Sequence, residues 1–330
     1  MVPRRAARAR GIRNCAKTAG AAIAFGGTVF FGLLAVAYWR DFGSLYLHTP
    51  GVWAGLFAVS WGAFWYVWSV QHLPYWVCDA GLAIARTDEW RSFVREWTRR
   101  LRHIPIVPIA AASVIVCLYY GLATGLAHKL WVLPSFHADW ARGPNLVAKN
   151  VVLDLWAVAL LSVAVPNVVG ALKYAVLIHR LARFDLVRSL PVAREGLRPV
   201  AFFGLLTGTM WSLAGVVIVW ILHPTSFDPG AVGIVAAVGA VGLQLIFWPQ
   251  ARLHAALRAL QASLARPLIG QLRASSVAGA PPPADDGLRA VLAERTWVHD
   301  TGFATTAFVV GQFALPLASL VLSVTRTGGS

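Results

Sequence analysis

The chain has 330 residues, 58% of them hydrophobic and only 13% charged, with mean hydropathy +0.62. A soluble domain carries roughly twice that share of charge, so the balance excludes a soluble globular fold, a disordered tail and a fibrous repeat. Lys and Arg number 29 against 14 Asp and Glu, a formal net charge of +15. That excess lies between apolar stretches, where it orients a membrane protein and meets anionic headgroups rather than nucleic acid.

Crossing a hydrocarbon core takes about 20 apolar residues of helix. Seven stretches qualify: 21–39, 52–70, 104–127, 151–171, 200–222, 231–248 and 303–324. The expected fold class is therefore all-α, a polytopic bundle of about seven transmembrane helices. Residues 1–20 form a basic arm. Residues 21–250 hold six membrane helices with helical connections. Residues 251–302 make a cytoplasmic helical hairpin with a Pro-rich linker, and 303–330 the last span with a short outer tail. Four connections carry six Lys or Arg each, 24 in all, against five on the other side. The positive-inside rule then puts the N-terminus in the cytoplasm and the C-terminus outside a cell membrane. The first apolar run exceeds a signal-peptide core, so it reads as a retained anchor despite the cleavage-like Ala35-Val36-Ala37.

In the second span Phe57, Trp61, Phe64, Trp65 and Trp68 share one face. Trp61 and Trp65 sit too deep for an interfacial belt. They are candidates for holding a cation or an apolar ligand; helix packing or lipid contact is the plainer reading. The connection 88–103 places Trp90, Phe93, Val94, Trp97 and Leu101 on one helical stripe. Such a helix lies on the inner leaflet, which is the preferred reading, or packs against other cytoplasmic helices.

The fourth span contains Pro166 and Asn167. Proline removes a backbone donor and frees a carbonyl, which Asn167 or a water can satisfy, so this is a packing or a gating kink. Lys173 is placed to snorkel toward the inner interface, and Asp154 is the one acid expected at depth. Small residues in spans five and six, such as Gly204, Gly208, Gly233 and Gly239, read as packing devices. Beyond span six, Leu253, Leu257, Leu260, Leu264 and Leu268 recur at helical spacing. The Pro281-Pro282-Pro283 linker follows, then a helix at 287–298 capped by Asp285 or Asp286.

The last span carries the most informative pattern. Thr305, Val309, Gln312, Pro316, Ser319 and Ser323 recur at steps of three and four and form one stripe. A glutamine at bilayer depth needs a partner or water. The stripe therefore lines an aqueous path or glues a helix seam. Elsewhere the sequence has no HExxH, GxSxG, Walker A or GxGxxG pattern. Cys15, Cys78 and Cys117 form no CxxC pair. His137 and Asp139 lie close, but without ligand spacing. The expectation is a protein that is not an enzyme and holds no cofactor or metal.

The run Thr305-Thr306-Ala307-Phe308-Val309-Val310-Gly311-Gln312-Phe313 resembles the final-span signature of insect gustatory and odorant receptors. That signature is Thr-Tyr, five hydrophobic residues, then Gln-Phe; Thr306 stands where the family has tyrosine. The resemblance implies seven spans, a cytoplasmic N-terminus and cytoplasmic helical extensions before the last span. It also implies a ligand-gated cation channel that is a homo-oligomer, a tetramer, with Gln312 facing or supporting the pore and Phe313 beside it. The best functional expectation is a channel-like or receptor-like subunit. The alternatives are a secondary transporter of a small solute and a non-conducting scaffold or sensor.

Overall fold

The computed structural model describes residues 4–85, 87–123, 140, 144–222, 229–277 and 285–298. These are helical almost throughout, and among the described residues there is no strand beyond one isolated bridge, Ile84 to Leu186. The helices are α1 (Arg4–Trp39), α2 (Gly43–His48), α3 (Pro50–Asp79), α4 (Thr87–Arg102) and α5 (Ile106–Ala123). They continue with α6 (Leu146–Leu181), α7 (Leu190–Leu222), α8 (Pro229–Val277) and α9 (Asp285–Ala293). Two segments are long and apolar enough to cross a membrane, Cys15–Trp39 in α1 and Leu146–Leu181, the whole of α6. Only 22% and 28% of their most apolar windows are buried in the protein. The core helix of a soluble protein would be mostly buried, so these flanks need another apolar environment.

The basic arm and the first apolar stretch are one helix, α1, which runs through Gly20 without a break. The helix of the sixth apolar stretch continues past 251, and α8 runs unbroken from 229 to 277 through Pro249 and Pro267. The helix after the linker is shorter than 287–298. It ends at Ala293, where Gln261 Nε2 donates to Val291 O (2.8 Å) and Glu294 O (3.2 Å). Those are carbonyls that a helix end leaves without intrahelical partners.

Two apolar cores result. The first joins Phe30 and Leu33 of α1, Tyr46 of α2, Val52 and Val59 of α3, and Trp156 and Val163 of α6. Tyr46 is its hub. Its hydroxyl donates to Phe30 O and accepts from Trp156 Nε1, both at 3.1 Å. Asn145 caps α6 with a left-handed backbone, which asparagine tolerates better than most residues, and donates to Arg40 O. The second core lies at the arginine-rich end. It gathers Trp90, Phe93 and Trp97 of α4, Leu177 and Ile178 of α6, Leu197 and Val200 of α7, and Leu253 and Leu257 of α8.

The amphipathic stripe of α4 therefore does not face a leaflet. Trp90, Phe93, Trp97 and Leu101 are buried against the ends of α3, α6 and α7, which corrects the preferred reading. Protein packing takes the stripe because α6 and α7 bring apolar surface to the same place. The chain crossings there are tight. A Cβ on Gly196 would stand 2.8 Å from Ala83 N, and one on Gly204 would stand 2.7 Å from the Tyr174 hydroxyl, which donates to Val200 O at 2.8 Å.

Gly196→Ala is expected to cost about 1–3 kcal/mol, since backbone has to shift. Gly270→Ala, with nothing within 4 Å of its new Cβ, should stabilise by about 0.5–1 kcal/mol. Thermal unfolding of both variants in detergent checks the contrast. Leu257→Ala should lose about 2–5 kcal/mol in the same assay.

Candidate functional site

The expected kink residues and one of the two expected aromatic residues meet at one place. A small, partly open cavity of about 30 Å³ is lined by Trp65 and Ser69 of α3, Pro166, Asn167 and Lys173 of α6, and Thr207 of α7, among others. That volume suits one or two waters and is too small for a solute.

Pro166 has no N–H, so Ser162 O loses its helical donor. Asn167 does not replace it. Its Nδ2 donates instead to Val163 O at 2.7 Å and, across the helix interface, to Gly62 O at 2.9 Å. The second bond requires α3 and α6 to come close, and Gly62 permits it: a Cβ there would meet Val163 Cγ2 at 3.1 Å. The Thr207 hydroxyl donates back to Phe203 O and the Ser69 hydroxyl to Tyr66 O, both at 2.8 Å. Lys173 turns outward and donates to Arg100 O (2.8 Å) and His103 O (3.0 Å) at the end of α4.

The five-residue aromatic face of α3 divides in two. Trp65 is buried and stacks on Trp68 (5.0 Å between centroids) and on Phe203 of α7 (6.1 Å). Trp61 instead stacks on Phe57 at 5.9 Å and leans on Phe64 at 5.8 Å. The two tryptophans thus form no common cage. The Trp61 Nε1 is buried with no acceptor among the described residues, and so is Asp154 Oδ1 with no donor.

The last-span candidates Thr305, Gln312, Phe313, Ser319 and Ser323 lie outside the described residues, as do His137 and Asp139. The approach to that span is described. Residues 294–298 dock back onto α7 and α8: Trp297 stacks on His254 with centroids 4.0 Å apart, Val298 is buried, and Glu294 pairs with Arg194 at 3.7 Å. A cleft of about 520 Å³ opens beside this segment, lined by Arg194, Arg198, Glu195, Glu294 and Trp297, among others.

Sequence reasoning missed Tyr46, Gln250 and Gln261. Each is a lone polar residue whose partner lies far along the chain; Gln250 Nε2, for example, donates to Ala201 O at 2.9 Å. Polarity in an apolar run signals that a partner exists but not which one.

Among the described residues no group of three or more His, Cys, Asp or Glu could hold a metal ion. Compared with family models, curated proteins and solved structures, the chain matches none.

Asn167→Ala should cost about 0.6 kcal/mol, the mean for an interhelical hydrogen bond in a membrane bundle. Gly62→Val should cost more, because it pushes α3 off α6. A larger loss for Asn167→Ala than for Gly62→Val, in thermal unfolding, would contradict the packing account of this site.

Proposed function

We propose that this chain is a multi-pass cell-membrane protein of about seven spans, a channel-like or receptor-like subunit working as a homo-oligomer. The stripe Thr305, Gln312, Ser319 and Ser323 lines its water-filled path, with Phe313 beside Gln312. The N-terminus and the arginine-rich end lie in the cytoplasm, against anionic headgroups.

One observation carries the reading: the docking of residues 294–298 onto α7 and α8 through Trp297, Val298 and Glu294. The described residues that precede the proposed last span are thus held on the arginine-rich core. The cavity between α3, α6 and α7 has room for only a water or two. The resemblance at 305–313 points to a path along the last span and implies a tetramer. A scaffold or sensor is the second reading, favoured by the cleft of about 520 Å³ with its arginines and glutamates.

Cysteines introduced at Gln312 and Ser319 should react with small water-soluble thiol reagents, and cysteines at Ala314 and Val321 should not. Protection at all four positions would sink the pore and leave the scaffold reading ahead.

Native Cys78 reports sidedness. It is exposed and lies beyond the second span, so it should label from the cytoplasm together with a cysteine at Ser275. A cysteine at Ser226 should label from outside. Burial and then the neighbouring Asp79 charge raise the Cys78 thiol above its ordinary pKa, so less of it is thiolate at pH 7 and labelling is slow. The rate should climb with pH, and Asp79→Asn should speed it at neutral pH by removing a like charge. An Asp79→Asn rate equal to wild type would contradict this account.

A further inference from the structure

A groove of about 700 Å³ opens on the flank of the bundle where the end of α4 meets α6. One wall is basic: Arg99, Arg100, Arg102 and His103 at the end of α4, with Lys173 of α6. The other wall is apolar, formed by Val169, Leu172 and Val176 of α6. Leu172 and Val176 are exposed at 62% and 47% and continue along α6 to exposed Val168.

Of these basic groups only Arg100 pairs with a carboxylate among the described residues. Glu96 pairs with Arg100 and stands 3.7 Å from Arg180. Arg99 and Arg102 are exposed and have no ion pair among the described residues. Lys173 is held in the groove by the two carbonyls at the end of α4. Cations near a helix C-terminus interact favourably with its dipole; Arg99, Arg102 and Lys173, which no carboxylate pairs among the described residues, are also the donor set that a phosphate takes.

We propose that this groove is a binding site for one anionic phospholipid of the inner leaflet. Its phosphate sits among Arg99, Arg102 and Lys173, and an acyl chain lies along Leu172 and Val176. The apolar wall selects a lipid over a free phosphate, because the basic half alone would serve the latter. The proposal rests on the reading of the chain as a membrane protein with this end in the cytoplasm.

The test uses the full chain purified in neutral detergent. Phosphatidylglycerol should raise its Tm by about 2–4 °C or more, whereas phosphatidylcholine and inorganic phosphate should leave it unchanged. The double variant Arg99→Ala, Arg102→Ala should keep its lipid-free Tm and lose the shift. Val176→Trp, an exposed change that fills the apolar wall, should lose the shift with every charge intact. Equal shifts from phosphatidylcholine, a full shift from inorganic phosphate, or a shift retained in either variant would each overturn the site. Alkaline carbonate extraction of the same membranes separates this from the wider reading. Release of the chain by carbonate overturns the membrane-spanning reading itself, whereas retention without a selective Tm shift overturns only the lipid site.

Discussion

The excess length of α6, α7 and α8 is the constraint on which the rest depends. They run for 36, 33 and 49 residues, about 50–75 Å at 1.5 Å per residue, against a hydrocarbon core of about 30 Å. Toward the arginine-rich end their apolar stripes are buried by protein. Leu177, Ile178, Leu197, Val200, Leu253 and Leu257 meet one another there. The Trp90–Leu101 stripe of α4 closes the side they leave open. Glycines set how closely the helices come, at Gly196 against Ala83 and at Gly204 against Tyr174.

A second constraint acts in both cores, where a buried backbone or side-chain polar group has no water to turn to. Tyr46, Asn167, Tyr174 and Gln250 each donate to a carbonyl on another helix. These bonds fix register and rotation between helices that apolar contact alone would let slide. They also leave little space: the cavity at Pro166 is what remains after Asn167 has crossed to Gly62. Val169 and Lys173 line both this cavity and the basic groove on the outer flank. Whatever occupies the groove is therefore one side chain away from the interior of the bundle at its proline.

Helix identity and the basic character of one end were legible along the chain, because hydropathy, helical period and charge are sums over neighbours in sequence. The stripes of α4 and of 253–268 were readable for the same reason, as was the close approach at Gly204. The partners of those stripes were not. A Trp–Phe–Trp face looks the same whether it meets lipid or another helix, since both are apolar, and only the convergence of α3, α6 and α7 gave it to protein. Likewise Trp61 and Trp65, one helical turn apart, were assigned to one face by period alone. Contact with Phe203 drew Trp65 into the core and left Trp61 with Phe57 and Phe64. The sequence by itself determined an all-helical chain with apolar stretches long enough to cross a membrane and its cations gathered in four connections, because those properties are local. Which polar residue pairs with which, where the cavity and the groove fall, and how 294–298 docks were decided only by tertiary structure. Each of these depends on groups tens to a hundred residues apart being brought within hydrogen-bonding or van der Waals distance.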